Sequence, residues 1–291
     1  MFHSFGLSVA TLLPILFGVK TFFYPSPLHY RFVPEMCYDS LSTVIFGTDT
    51  FFAGYGKMAN PYDFFSLKYA VIGGEKLKKT TAELWMKKFG IRILEGYGAT
   101  ETSPVISLNT PMHFKEDSVG RIMPGMEYRL EKVAGVEEGK KLWVKGDNIM
   151  QGYMKYDAPG VLQPLDNGWY DTGDIVSIDD EGYITIKGRV KRFAKIGGEM
   201  VSLTAVEQVL DKLYPQTLQG ILTQPDEKKG EQLVLITNKE DADIKTIREY
   251  FRNQGLSELW MPKKVIYRKD IPVLGSGKID YVTAQTLLEE K

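Results

Sequence analysis

Cysteine is almost missing from this chain: Cys37 stands alone in 291 residues. That excludes an internal disulfide and any metal site built from a cysteine cluster, and a reducing compartment is its natural setting. Excess charge is missing too. Lysine and arginine number 36 against 37 aspartates and glutamates, for a net charge of −1. No field of one sign therefore favours nucleic acid as a partner. Long hydrophobic runs are also lacking. The longest, Phe5 to Val19, is about fifteen residues and contains Pro14 and two glycines, short of the roughly 20 apolar residues that span a bilayer. No basic segment precedes it, which argues against a signal peptide, and it reads as a buried helix. No internal repeat or low-complexity tract is present.

What remains is the composition of an ordinary globular protein, 43% hydrophobic and 25% charged, long enough for more than one domain. Leu7–Phe17 reads as the buried helix and Lys20–Tyr24 as a strand ended by Pro25 and Pro27. Further strands are expected at Ser42–Gly47, Leu67–Ile72 and Phe89–Leu94. Lys76–Phe89 has the spacing of an amphipathic helix, with Leu77, Leu84 and Trp85 on its core face. Strands separated by helices argue for a mostly parallel sheet, whose ligands sit at the carboxyl ends of the strands. From about Asp117 to Lys187 short turn-bounded strands, such as Gly120–Gly125 and Lys141–Gly146, suggest a β-rich subdomain. Beyond them come helices at Ala205–Leu213 and Asp243–Gln254 and strands at Gly220–Thr223 and Gln232–Ile236.

Two stretches, Gly73-Gly74-Glu75 and Glu95-Gly96-Tyr97-Gly98-Ala99-Thr100-Glu101, each follow an expected strand. In the second, glycines allow a sharp turn and close approach to a ligand. Tyr97 offers a flat face for a base, Thr100 a hydroxyl for phosphate, and Glu101 a hard oxygen of the kind Mg²⁺ takes. These residues read equally well as a nucleotide-phosphate site or as a polar loop after a strand. Asp174, closing Gly168-Trp169-Tyr170-Asp171-Thr172-Gly173-Asp174, could accept hydrogen bonds from two neighbouring ribose hydroxyls; the plain alternative is a turn acid in solvent. Phe193–Glu199 is a glycine-bearing loop able to admit a thin ligand. Lys278 follows a Gly-Ser-Gly stretch, where a mobile loop could deliver its ammonium to a reacting centre.

Taken together and in order, these motifs resemble those of the adenylate-forming enzymes. The resemblance implies an α/β (α+β overall) fold. A partial AMP-binding large domain would cover 1–189, with its β-rich subdomain at about 112–189, and a small mobile α+β domain would cover 190–291. It implies that Tyr97 lies against adenine, Thr100 meets phosphate and Glu101 holds magnesium. Gly73, Gly74, Glu75, Glu95 and Gly96 would border the nucleotide, and Asp174 and Arg189 would meet the ribose. Lys191 would be the hinge, Gly197 and Gly198 would line a pantetheine tunnel, and His3 the acyl pocket. Lys278 would bridge carboxylate and α-phosphate. ATP and Mg²⁺ are the implied cofactors, with phosphopantetheine carried by the acyl acceptor.

Phe22–Tyr30, Lys191–Lys195, Gly198–Ser202 and Leu274–Lys278 narrow the resemblance. They are similar to the synthetase part of the bacterial bifunctional acyl-acyl carrier protein synthetase/2-acylglycerophosphoethanolamine acyltransferase family. That implies fatty acid and acyl carrier protein as partners, or coenzyme A in an acyl-CoA ligase, with lysophospholipid repair at the cytoplasmic side of the inner membrane. Two family features are expected and not found: the Ser/Thr/Gly-rich phosphate loop before His3, and the acyltransferase His-x4-Asp motif. Five places after His3, His29 and His113 stand Ser8, Pro34 and Ser118. The chain thus reads as a synthetase part whose N-terminal synthetase and acyltransferase portions lie elsewhere. An inert nucleotide- or carrier-protein-binding module is the rival from another class. A membrane scaffold has little support, because no cationic amphipathic helix is present.

Overall fold

The computed structural model describes residues 3–274 and 277–288. The chain divides into two compact units. One comprises Met1–Leu130, Leu142–Thr172 and Ile178–Thr185, the other Glu131–Lys141, Gly173–Ser177 and Ile186–Lys291.

The first unit opens with α1 (Ser4–Leu7), a π-helical turn over Ser8–Leu12 and α2 (Leu13–Leu16). The expected helix exists but is neither regular nor buried. Pro14 has no N–H to return to the preceding turn, and the helix widens into the π turn just before it. Leu12, Leu13, Ile15, Leu16 and Phe17 are exposed, Leu16 at 77%; a segment apolar on every side cannot hide all of them against one neighbour. The strand expected at Lys20–Tyr24 is irregular chain. No described strand pairs with it, and Phe22 and Phe23 face outward.

After α3 (Phe32–Asp39) the sheet begins. β1 (Val44–Gly47), β2 (Tyr69–Ile72) and β3 (Ile93–Gly98) run parallel, with Val44 opposite Tyr69 and Ala70 opposite Ile93. Parallel neighbours need crossovers, supplied by α4 (Asp49–Met58) and α5 (Lys79–Phe89). Two antiparallel strands, β4 (Val105–Leu108) and β5 (Arg121–Ile122), complete the order β1-β2-β3-β4-β5. Beneath the sheet lies Trp85, fully buried, stacked on Phe52 and Phe64 at 4.7 Å each and meeting Phe89 edge-on at 5.1 Å. Its indole N–H donates to the Phe52 carbonyl at 2.8 Å, so the one polar atom of the ring is satisfied where water is absent. Helix α5 starts at Lys79 rather than Lys76: Lys78 is extended (φ −78°, ψ 138°), and the N–H groups of Leu77 and Lys78 donate to Glu95 and Asp49.

A four-stranded sheet, order β11-β10-β7-β6, follows: β6 (Glu127–Glu131), β7 (Lys140–Lys145), β10 (Tyr170–Ile178) and β11 (Ile184–Arg189). Each of its strands carries residues of both units. A two-stranded pair, β8 (Gly152–Met154) and β9 (Leu162–Pro164), lies between β7 and β10 in sequence.

In the second unit β12 (Phe193–Ile196), β13 (Glu199–Ser202), β14 (Gln219–Asp226), β15 (Gly230–Thr237) and β16 (Lys264–Tyr267) form one sheet. Its order is β13-β12-β15-β14, with β16 parallel to β15. Phe193–Glu199 is therefore no open loop. It is a hairpin whose turn residues Gly197 and Gly198 take φ +61° and +92°, the two positive values a tight two-residue turn demands. Helices α6 (Leu203–Leu213) and α7 (Ile244–Asn253) bury Val206, Leu210, Ile247 and Phe251 over that sheet, and α8 (Tyr281–Thr286) follows near the end. Ser202 and Asp243 cap α6 and α7 through their side-chain oxygens. Buried Glu207 accepts from Arg192, the Ile221 N–H and the Tyr281 hydroxyl, and so ties α6, β14 and α8 together.

Trp85→Ala removes the ring on which Phe52, Phe64 and Phe89 pack, and should cost about 3–5 kcal/mol. Urea unfolding measures it as a lower midpoint at unchanged slope; a loss under about 1 kcal/mol contradicts the placement of the core.

Candidate active site

The carboxyl ends of β1, β2 and β3 form one rim. Off β2 come Gly73 and Gly74, the latter at φ +83°, then Glu75. The Glu75 carboxylate accepts from the N–H and hydroxyl of Thr50 at 3.0 and 2.9 Å, at the start of α4, where helix geometry favours negative charge. Its other oxygen, Oε1, is buried and finds no partner among the described residues, which leaves an acceptor for a ligand's donor. Gly73 faces the ring of Phe5, which meets Phe46 edge-on at 5.8 Å.

Off β3 the chain does something the sequence did not foretell. Gly96, Tyr97 and Gly98 do not form a turn; they are the last residues of the strand. Their glycines serve close packing instead. A Cβ at Gly98 would lie 1.8 Å from the Pro104 carbonyl oxygen, and one at Gly96 would lie 2.9 Å from Leu108. Tyr97 is buried, at 7% exposure. The turn comes next, at Thr100–Thr102, knotted by Ala99 N–H donating to Thr102 Oγ1 at 3.1 Å and by the Thr102 hydroxyl donating to the Pro104 carbonyl. This presents Thr100 and Glu101 outward. The Thr100 hydroxyl reaches Ser4 Oγ at 3.2 Å, which joins the first helical turn to the same rim. His3 is exposed there, and its Nδ1 accepts the Phe5 N–H at 3.3 Å as an N-cap. Glu101 Oε1 accepts the Tyr153 hydroxyl at 2.9 Å, a contact that motif reasoning missed because no pairing rule links positions 52 residues apart.

Glu95 is the other surprise. It is 7% exposed and accepts the Leu77 N–H at 3.0 Å. Burial pushes its carboxyl up to about 7. The Leu77 N–H and Lys76 offset part of that rise, while Asp49 and Asp117 add to it. Glu95 therefore fastens one rim loop to the strand beneath.

The second unit pairs two of the residues singled out by sequence. Asp174, 2% exposed on β10, accepts Arg189 Nε from β11 at 2.7 Å. Asp174 is no solvent acid: it is buried and accepts a bond from an arginine, a pairing stronger than one between neutral groups. Lys191 is exposed in the Val190–Arg192 turn, and the Gly197–Gly198 tip is exposed as well. Around Lys278 the chain doubles back, with Val273 bridged to Ile279 and the Leu274 N–H donating to the Lys278 carbonyl at 2.7 Å. Gly275 and Ser276 of the expected mobile loop lie outside the described residues.

No group of three or more His, Cys, Asp or Glu among the described residues could hold a metal ion. Glu101 nonetheless fits Mg²⁺, which is commonly held by one or two carboxylates together with substrate phosphates and water. Among the described residues no helix is long and apolar enough to cross a membrane.

A parallel-sheet rim bearing a Gly-Gly-Glu turn and a Tyr-Gly-Ala-Thr-Glu segment is the arrangement of one enzyme class. The sequence pattern of AMP-binding enzymes matches residues 1–154, and the chain belongs to that family. Among curated relatives, a long-chain-fatty-acid–CoA ligase of Yersinia pestis is 32% identical over 96% of this chain and 51% of its own length. The mitochondrial medium-chain acyl-CoA ligase ACSF2 of Mus musculus is 26% identical over 100% of this chain and 49% of its own. The chain thus spans about half the length of the curated relatives it matches. Among solved structures, ATP-bound MatB from Rhodopseudomonas palustris superposes with a TM-score of 0.83 at 24% identity, over 99% of this chain and 58% of that one. It shares the fold.

The pH dependence of Glu95 has a definite sign. Its folded value, about 7, lies above the ordinary 4.5. The stability it contributes is full below 4.5, where both states are protonated, and is lost as pH rises through about 7. Glu95→Gln should remove that slope, worth about 3 kcal/mol between the two limits. Chemical denaturation at pH 4.5 and 8 checks it; parallel losses in both proteins contradict the assignment.

Proposed function

We propose that this chain carries the nucleotide-binding and mobile parts of an acid–thiol ligase that activates a fatty acid with ATP and passes the acyl group to a pantetheine thiol. The observation that carries this reading is the Glu95–Thr102 segment: a family motif seated on the carboxyl rim of a parallel sheet, with Thr100 and Glu101 presented outward. In the first step a carboxylate oxygen attacks the α-phosphorus and pyrophosphate leaves. Thr100 donates to phosphate, Lys278 neutralises charge developing between carboxylate and phosphate, and Asp174 with Arg189 engages the ribose hydroxyls. Gly73, Gly74, Glu75, Glu95, Gly96 and Tyr97 frame the nucleotide. Glu101 would hold magnesium, which would supply charge neutralisation on the phosphates.

In the second step a thiolate attacks the acyl carbonyl and AMP leaves. The two steps use one carboxyl group, first its oxygen as nucleophile and then its carbon as the centre attacked, and need different groups beside it, which calls for a two-state element. Residues 190–291 pivoting at Lys191 would serve, withdrawing Lys278 and bringing the Gly197–Gly198 tip to line the thiol's path. His3 and Phe5 would border the acyl chain. The exposed apolar residues between Leu12 and Phe23 support the view that a further portion, corresponding to the other half of the longer relatives, covers them and brings the glycine-rich phosphate loop.

Two acceptors compete. Relatives named as CoA ligases favour coenzyme A, whereas the motifs at Lys191–Ser202 and Leu274–Lys278 favour acyl carrier protein. On the latter reading the product would feed lysophospholipid reacylation at the cytoplasmic face of an inner membrane. Fatty-acid-dependent ATP–pyrophosphate exchange tests the first step, with the first half of a longer relative supplied in trans. Lys278→Ala should lower exchange about 10²–10³-fold yet leave thioester formation from preformed acyl-adenylate within about 3-fold. Normal exchange in Lys278→Ala overturns the assignment. A faster second step with coenzyme A than with holo acyl carrier protein decides for the CoA ligase.

A further inference from the structure

The function above gives no task to Gly152 or Tyr153. The segment from Asn148 to Tyr153 grips the Thr100–Thr102 turn at several points. Asn148 Nδ2 donates to the Thr102 carbonyl at 2.7 Å and to the Val105 carbonyl at 3.0 Å. The Met150 N–H donates to the Glu101 carbonyl at 2.8 Å. The Tyr153 hydroxyl donates to Glu101 Oε1 at 2.9 Å. Tyr153 is itself fixed by its neighbour, because a Cβ at Gly152 would lie 2.0 Å from the Gln163 carbonyl oxygen, so β8 can lie that close to β9 only with glycine there. Tyr170, buried behind them, feels both groups: burial raises its phenol furthest, and the Glu101 charge and Tyr153 raise it more.

We propose that Tyr153 is a positioning residue that fixes the rotamer of the Glu101 carboxylate for a divalent cation bound with the nucleotide; the proposal rests on the ligase reading. The physical need is plain. Three side-chain torsions separate a glutamate carboxylate from its backbone, and Glu101 sits on a turn of only three residues. No group of three or more His, Cys, Asp or Glu among the described residues could hold the ion, so the orientation of the Glu101 carboxylate bears directly on how it is held. A phenol donating to one oxygen selects a single orientation, while a carboxylate retains lone pairs for the metal. Partners of this kind, one bond removed from the ion, commonly govern 10–100-fold in metal affinity.

Electron paramagnetic resonance titration of Mn²⁺, with ATP present, measures this on the whole chain without requiring turnover. Tyr153→Phe should weaken Mn²⁺ binding by about 10-fold while leaving metal-free AMP affinity unchanged, and Glu101→Gln should weaken it further. Asn148→Ala, which loosens the same turn but keeps the phenol, should lower Tm yet hold Mn²⁺ affinity within about 3-fold of wild type. That variant separates a folding defect from a lost donor; a Mn²⁺ loss equal to that of Tyr153→Phe overturns the role of the phenol. Wild-type affinity in Tyr153→Phe, with Glu101→Gln impaired, overturns the positioning role and leaves the ligase reading standing. Unchanged Mn²⁺ binding in Glu101→Gln overturns both.

Discussion

The passage of β3 past the chain that returns beside it is the constraint on which the rim depends. Gly98 lies so close to the Pro104 carbonyl that any side chain there would collide with backbone, and Ala99 N–H donates to that carbonyl at 2.9 Å. Only a chain that turns back this tightly can put Thr100 and Glu101 side by side at the end of a buried strand. The neighbouring contacts add to the same result. Glu95 anchors the loop after β2, Ser4 meets Thr100, and Asn148 and Met150 hold the turn from its far side. Most of these are bonds to backbone, so the rim is built from main chain and leaves a few side chains to face a ligand.

In the second unit the organising feature is electrostatic. A carboxylate as buried as that of Asp174 is costly unless paired, and Arg189 supplies the partner across two adjacent strands. Removing either partner strands a charge, an asymmetry that makes buried pairs sensitive to single substitutions. The arrangement suits a ligand bearing neighbouring hydroxyls, which can exchange hydrogen bonds with a carboxylate and a guanidinium already held at a fixed spacing. In the same unit, Glu207 bonds Arg192, Ile221 and Tyr281 and gives the chain just after Lys278 a firm attachment.

Local pattern made much of this legible. The periodicity of Lys76–Phe89 placed Trp85 in the core, and the alternation of helix and strand gave the parallel part of the sheet. Turn-bounded runs gave β7, β14 and β15. The failures share a cause. Leu7–Phe17 looked buried because hydropathy counts side chains and not neighbours. Lys20–Tyr24 looked like a strand because strand propensity says nothing of a pairing partner. Gly96 and Gly98 looked like a turn because glycine permits both a bend and a close approach, and only the position of Pro104 tells which. The Gly197–Gly198 hairpin resembles an open loop in sequence for the same reason. Motif order singles out Asp174, Arg189 and Glu101, yet not Tyr153, since the Tyr153–Glu101 contact arises from folding alone.

The central claim is that these residues make an adenylate site. Calorimetric titration with a non-hydrolysable acyl-adenylate mimic, comparing wild type with Asp174→Asn, tests it most directly. The account predicts saturable one-to-one binding that weakens about 10–100-fold in the variant, the range for losing hydrogen bonds to a charged group. Absence of binding in the wild type, or equal affinity in the two proteins, would contradict it.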